Sequence, residues 1–453
     1  MKATLEYRIW ARRQRGRWCR IALGSRKMQN SVHRKAREWV QALGRCAAMA
    51  ATAAWPRAAI RVVAGGGILA AVALASISTG TLAQQAAQQP LKIGFVAEMS
   101  GPLASLGRDM YDGFMLVVER NGGKLGGVPV QILREDSQAK PEVANQIIDK
   151  LIEQERVPIV AGFTISNVLM TVFKKATDSE VFVIGSNAGP SPLAGAQCNP
   201  FYFQVGSQND QGAETMGRYA AEKGYSRVYT LAPNYQAGKD FTAGFKREYK
   251  KPLLEEVYTP LNQLDFQAEL TQVAAAKPDA VYVFYPGGTG VQFVRQWRQS
   301  GLADKIPLLS SATVDVVNLA ALQEAAAGVL NGSNWETTLD NAENKRYMAD
   351  FEKRYGRPAS HFAAQSYDAA SLLDAAIAKV NGNVSDKKAF MAALRTAQFP
   401  TVRGHLSFNH NQTVIQDFYI SEVVKDPSGK YTHKIVRTFP NSQDSYHGQC
   451  PMK

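Results

Sequence analysis

Cysteine is scarce in this 453-residue chain: four in all, with no Cys-x-x-Cys spacing that would hold zinc or cycle between thiol and disulfide. Histidine is almost as sparse. His33 lies near the start, and no two of His361, His405, His410, His433 and His447 share metal-ligand spacing on a helix, so each reads as solvated or structural. The phosphate signatures are missing too. Neither GGKL at Gly122 nor AGKD at Gly238 supplies the hydroxyl a P-loop requires, and GGTG at Gly287 runs into VQF rather than completing a dinucleotide fingerprint. No Gly-x-Ser-x-Gly elbow occurs, since GSNAG at Gly185 has its serine displaced. Glu135 and Asp136 are adjacent at a strand end and would point apart. No base, nucleophile, metal or cofactor of an enzyme is therefore expected.

The mature part of the chain also lacks charge of either sign in excess. The formal net charge is +13, but residues 1–83 hold 15 Lys+Arg against 2 Asp+Glu, and the remainder holds 37 of each. The basicity belongs to a leader, so a nucleic-acid partner loses its main support. Within that leader Arg57 and Arg61 precede an apolar run at residues 62–77, then STGTLA and a polar QQAAQQ. This is the order of a secretory signal peptide, with the cut expected after Ala83. An uncleaved anchor is the alternative, although the run is short for a membrane span. Residues 1–48 form an Arg-rich extension that a signal peptide has no use for, and Met49 is the expected true start. Outside the leader only Cys198 and Cys450 remain, an even pair in an exported chain. A bridge between them would fasten the C-terminal tail to the body; two free thiols are the alternative.

What is present is alternation. Strand-like runs at residues 91–97, 128–136, 157–162 and 181–186 are separated by helical patterns, including 103–121 and 141–154. After a break near 201–210 the alternation resumes with SRVYTLAP, DFTAGFKREYK, VYTP, DFQAELTQVAAA, DAVYVFYP and VQFVRQWRQSG. Two series of this size predict an α/β protein of two Rossmann-like, doubly wound lobes. A mainly helical block at 341–396 would return to the first lobe and supply its outer helices, and three crossings between the lobes would form a hinge.

The first turn, IGFVAEMSGPLASLG at 93–107, has the strand–glycine–helix form of a phosphate cradle without its lysine or hydroxyl. The polar residues that stand out follow the third and fourth strands. AGFTISN places Thr164, Ser166 and Asn167 at the start of a helix, and GSNAGPS places Ser186, Asn187, Ala188 and Gly189 beside it. Hydroxyls and backbone N–H groups at a helix N-terminus make a carboxylate socket; ordinary N-capping is the alternative. Tyr235, Tyr285 and Phe362 gather at the facing ends.

Several segments carry a family resemblance. MSGPLASLG, VERNGG, the EDSQ–PEVANQIIDKLIEQERVPIVAG segment, NYQAGKD, the DF–AELTQ–AAKPDAVYVFYPGG block and FAAQSYDAASLLDAAI occur in order and spacing. The chain from Leu91 onward resembles the branched-chain amino acid type of ABC-transporter solute-binding protein, which has the type I periplasmic binding protein fold. The resemblance implies two lobes, 91–207 with 333–408 and 208–332 with 409–453, joined by a three-strand hinge and closing on a solute. It implies a monomer in the periplasm whose partners are a small solute and an inner-membrane ABC permease. It also implies a ligand-binding set of Leu106, Thr164, Ser166, Asn167, Asn187, Ala188, Gly189, Tyr235, Tyr285, Thr313 and Phe362. Amino acid binders of this kind place a carboxylate in the second lobe for the substrate ammonium. The matching position, at about Ser311 or Ala312, has none, and Asp315 would serve only if the loop were remodelled. A carboxylate socket with no ammonium partner points to an acid without an amine, such as a benzoate or phenylpropenoate. Branched-chain or hydrophobic amino acids and amides are the alternative ligands, and a sensor's ligand-binding part the alternative role.

Overall fold

The computed structural model describes residues 89–452; the leader, the Met49 start and the cut after Ala83 lie outside them. A six-stranded sheet comes first. It comprises β1 (Leu91–Ala97), β2 (Lys124–Leu125), β3 (Val128–Asp136), β4 (Ile159–Gly162), β5 (Phe182–Gly185) and β6 (Tyr202–Gln204), in the order β2-β3-β1-β4-β5-β6. All neighbours pair in parallel except β2 with β3. The parallel strands β1, β4 and β5 are buried almost throughout, as a sheet covered by helices on both faces requires.

The second sheet repeats the pattern with β7 (Val228–Pro233), β8 (Glu255–Thr259), β9 (Ala280–Val283), β10 (Leu308–Ser311) and β11 (Leu330–Ser333), ordered β8-β7-β9-β10-β11. It is extended by β12 (Leu406–Phe408), β13 (Val414–Lys425) and β14 (Tyr431–Ser442), with β13 antiparallel to β11 and β14 on β13. The molecule is therefore the expected pair of doubly wound lobes. β12 departs from the expected boundary: residues 406–408 fall in the segment assigned to the first lobe, yet they pair with β13 in the second sheet. The helices Ala342–Tyr355, His361–Lys379 and Lys387–Arg395 return to the first lobe, and His361–Lys379 lies along Ala104–Arg120.

Three crossings join the lobes: residues 205–208, 334–341 and 396–405. Arg403, buried in the third, is bonded to the first, and Asn334 of the second shares its acceptors. Its guanidinium donates to Asp368 Oδ2 at 2.8 Å, to the Val205 carbonyl at 2.8 Å, to the Gly206 carbonyl at 2.7 Å and to Gln416 Oε1 at 2.6 Å. Asn334, in the second crossing, donates to the same Gly206 carbonyl at 3.1 Å. A buried guanidinium that engages four acceptors in this way holds a hinge in register.

The Cys198–Cys450 disulfide is formed, closing the chain across a separation of 252 residues. The tail it fastens is also held by the Tyr446 hydroxyl on Asp210 Oδ2 at 2.8 Å and Ser445 Oγ on Glu214 Oε1 at 2.6 Å.

Candidate functional site

In a doubly wound sheet the loops at the carboxyl ends of the strands open a crevice where the strand order reverses. Those points lie between β1 and β4 in the first lobe and between β7 and β9 in the second. Here the two crevices face each other. The cavity between them, about 670 Å³ with its mouth included, is lined by Leu106 and Thr164–Ser166 from one lobe and by Tyr235, Phe284 and Pro286 from the other.

The first wall is the opening glycine turn. A Cβ on Gly107 would come within 1.9 Å of the Glu98 carbonyl, so glycine there lets the helix Ala104–Arg120 close against the end of β1. This packing need accounts for the glycine without a phosphate. The next wall depends on Gly162, whose φ of +106° suits only glycine and where a Cβ would meet the Val96 carbonyl at 2.5 Å. It turns the chain out of β4 into Phe163 (φ +67°) and so aims Thr164–Ser166 at the cavity.

N-capping and a socket can now be told apart. The N-cap of helix Ser166–Asp178 is Ile165, with no side-chain cap, so the first N–H groups of the helix have no capping side chain. Ser166 Oγ accepts from Asn209 Nδ2 at 3.1 Å, which leaves its own hydrogen to donate elsewhere. Thr164 Oγ1 accepts from the Glu98 N–H at 3.4 Å. Glu98 itself is buried, and burial pushes its carboxyl pKa up, against the pull of hydrogen bonds from Ser137 and Thr164. Several donors in the second half of the expected socket are already engaged. The Ala188 N–H donates to the Phe163 carbonyl at 2.8 Å, the Gly189 N–H to Asn209 Oδ1 at 3.1 Å, and Asn187 Nδ2 to the Thr164 carbonyl at 2.8 Å. These residues hold the Thr164 loop in place, with Asn187 and Ala188 also lining the cavity.

Of the expected set, Leu106, Thr164, Ser166, Asn187, Ala188, Tyr235 and Phe362 line this one cavity. Four do not. Gly189 stands behind it. Asn167 is exposed and its Oδ1 accepts from the Gln236 N–H at 3.3 Å, a contact between the lobes outside the cavity. Tyr285 is in the core of the second lobe, its ring against Phe266 and Phe293 and its hydroxyl 3.1 Å from Thr259 Oγ1. Thr313 is buried beside it, accepting from the Tyr285 N–H at 3.0 Å. The side chain before each, Phe284 and Ala312, takes the cavity place, because successive residues at a strand end face opposite ways. Phe284 stacks on Phe241 with ring centroids 3.7 Å apart.

No Asp, Glu, Lys or Arg side chain is among the lining residues. Asp315 caps the helix Val316–Leu322 through the Asn318 N–H, 2.6 Å from its Oδ1, and faces a smaller adjoining pocket. Burial pushes its pKa up to about 6.

This arrangement suits a small neutral-walled binding site with donors at one end and rings around it. The family model described as periplasmic binding protein matches residues 90–429. The chain belongs to that family. An ABC-transporter solute-binding protein from R. palustris, solved in complex with benzoate, is 31% identical with a TM-score of 0.74 over 79% of this chain and 99% of that one. A solute-binding protein from Rhodopseudomonas palustris BisB5, in complex with 3,4-dihydroxybenzoic acid, is 27% identical with the same score and coverage. A protein from Brucella melitensis named Leu/Ile/Val-binding protein homolog 6 is 26% identical over 384 residues, 82% of this chain and 98% of its own length. The chain is thus an ABC-type solute-binding protein of type I periplasmic fold, and its family binds solutes rather than converting them.

Three lining residues of this binding protein carry no motif that marks them in the sequence: Asn209, His361 and Phe284. His361 is corrected from a solvated or structural histidine to a wall of the cleft. Asn209 opens the helix Asn209–Glu222 at the first crossing, where a polar residue reads as a cap.

Proposed function

We propose that this protein is the periplasmic receptor of an ABC importer and captures an aromatic carboxylic acid of the benzoate type for a membrane permease, acting as a monomer. The observation that carries the reading is the chemistry of the cavity. The Ser166 hydroxyl and the uncapped start of its helix offer donors to a carboxylate. Phe284, Tyr235 and Phe362 offer faces to a ring, and no lining carboxylate awaits an ammonium. A buried ammonium without an anion costs several kcal/mol, more than a single hydrogen bond to a neutral group restores. The likeness to the benzoate-bound and dihydroxybenzoate-bound proteins supports the same class.

The relatives named for Leu, Ile and Val support a second reading, a hydrophobic amino acid. Isothermal titration of the purified protein with benzoate, phenylpropenoate, leucine and valine decides between them. Tighter binding of the acids is expected; saturable leucine binding with no acid response overturns the proposal.

A further inference from the structure

His361 opens the helix His361–Lys379 and is 5% exposed, yet among the described residues neither ring nitrogen has a hydrogen-bond partner. Asp315 Oδ2 lies 3.8 Å from Nδ1, beyond hydrogen-bonding distance. His361 lines the main cleft and, with Ser333, also the smaller pocket beside it, so these two residues are where the cavities meet. Most other polar groups of the smaller pocket are engaged; His433 Nε2 is buried with no hydrogen-bond partner among the described residues, but His433 does not reach the main cleft. His433 Nδ1 and Glu336 Oε2 are 3.0 Å apart, Glu336 Oε1 accepts from Ser421, Ser333 Oγ donates to the Trp335 carbonyl, and Asn331 Oδ1 accepts from Ser310. What remains open on the side of the main cleft is the His361 imidazole, with the Asp315 carboxyl facing it.

Burial holds His361 neutral, its pKa down to about 3. A neutral imidazole has one donor and one acceptor nitrogen. A hydroxyl can meet either one, because it donates and accepts, and one oxygen fits within reach of both Nδ1 and Asp315 Oδ2. A methyl or a halogen would leave the nitrogens unpaired. We infer that His361 is a specificity-determining residue that reads a hydroxyl on the ligand's ring, making the ligand a hydroxylated aromatic acid. The inference rests on the acid reading above and narrows it.

Titrations with benzoate, 4-methylbenzoate, 3-hydroxybenzoate and 4-hydroxybenzoate test it on the native protein, His361→Phe and His361→Gln. The native protein is expected to prefer one of the hydroxylated acids over benzoate by about tenfold or more. His361→Phe should bring the ratio of hydroxylated-acid to benzoate affinity down to about one, whatever it does to benzoate affinity itself, and His361→Gln, which retains a donor and an acceptor, should restore part of that ratio. Because the readout is a ratio of affinities, a general loss of stability does not imitate it. Equal affinity for benzoate and both hydroxylated acids, or an unchanged ratio in His361→Phe, overturns the inference and leaves the acid reading standing. If leucine binds and no acid does, the acid reading falls and this inference with it.

Discussion

Asn209 Nδ2 lies 3.1 Å from Ser166 Oγ and 2.8 Å from Asp240 Oδ2, while Asn209 Oδ1 accepts from the Gly189 N–H. One amide thus fixes the polarity of the socket. Because Ser166 accepts from Asn209, its hydroxyl hydrogen is left to donate to another group, and Ser166 lines the cavity. Asp240, fully engaged by Ser191, Gln236 and Asn209, keeps that amide from flipping.

Ser166→Ala should therefore weaken carboxylate binding by about 10- to 100-fold, the range for a hydrogen bond to a charged group, and lower stability by about 1 kcal/mol because buried Asn209 Nδ2 loses one acceptor. Asn209→Leu should weaken binding as well and also lower stability, since it leaves buried Asp240 short of a donor. Titration calorimetry with a melting curve for each variant checks both. Unchanged affinity in Ser166→Ala would place the carboxylate elsewhere.

The aromatic walls give a contrast between neighbours. Phe284 lines the cleft and Tyr285 does not. Phe284→Leu or Phe362→Leu should weaken aromatic-acid binding by about 0.5–1.5 kcal/mol beyond lost area, the usual worth of an aromatic pair. Tyr285→Phe should leave affinity unchanged and lower stability by about 1 kcal/mol through loss of its bond to Thr259. A fall in affinity in Tyr285→Phe with Phe284→Leu silent would reverse the assignment.

Cys198 and Cys450 offer a stability test separate from binding. A crosslink spanning 252 residues restricts the unfolded chain far more than the folded one. Replacing both cysteines by serine should lower unfolding free energy by about 2–4 kcal/mol. The ligand's Kd should stay within twofold, because neither cysteine lines the cleft. Urea denaturation and titration of the double variant measure the two effects separately.

The alternation of strands and helices was legible in residues 91–333 because a parallel sheet covered on both faces writes each strand as a short apolar run. The Thr164–Ser166 loop was legible for a related reason: polar residues after a fully buried strand must be doing something other than packing. Side-chain direction at strand ends was not legible. Whether Phe284 or Tyr285 faces the cleft depends on a one-residue offset where β9 ends, and both are aromatic. Gly189 failed as a donor because Asn209, twenty residues on in the sequence, occupies its N–H. His361 carried no signal, since its isolation from hydrogen-bond partners is a property of the folded helix and the lobe opposite. The dual place of β12 was not legible either: three residues of LSF report a strand, but not that it pairs with β13 while Phe408 packs on Phe203 of the first lobe.

Asp315 gives a pH test with a defined sign. Burial raises its pKa from 3.8 to about 6, against the pull of the Asn318 N–H and of His433. Between about pH 4 and 6 the unfolded chain releases this proton while the folded chain retains it. The folded state then binds more protons than the unfolded one, so stability falls as pH rises through that window and levels off above it. Two pKa units correspond to about 3 kcal/mol, an upper bound for a group whose neighbours share the change. Asp315→Asn is neutral at every pH and its amide oxygen can still accept from the Asn318 N–H. The variant should therefore gain on the native protein as pH rises from 4 to 7, by a few degrees in Tm, with contributions from all other carboxylates cancelling in the difference. Melting curves of the two proteins across that range measure it. A difference that stays flat, or that shrinks as pH rises, would mean that Asp315 is ionised in the folded protein throughout.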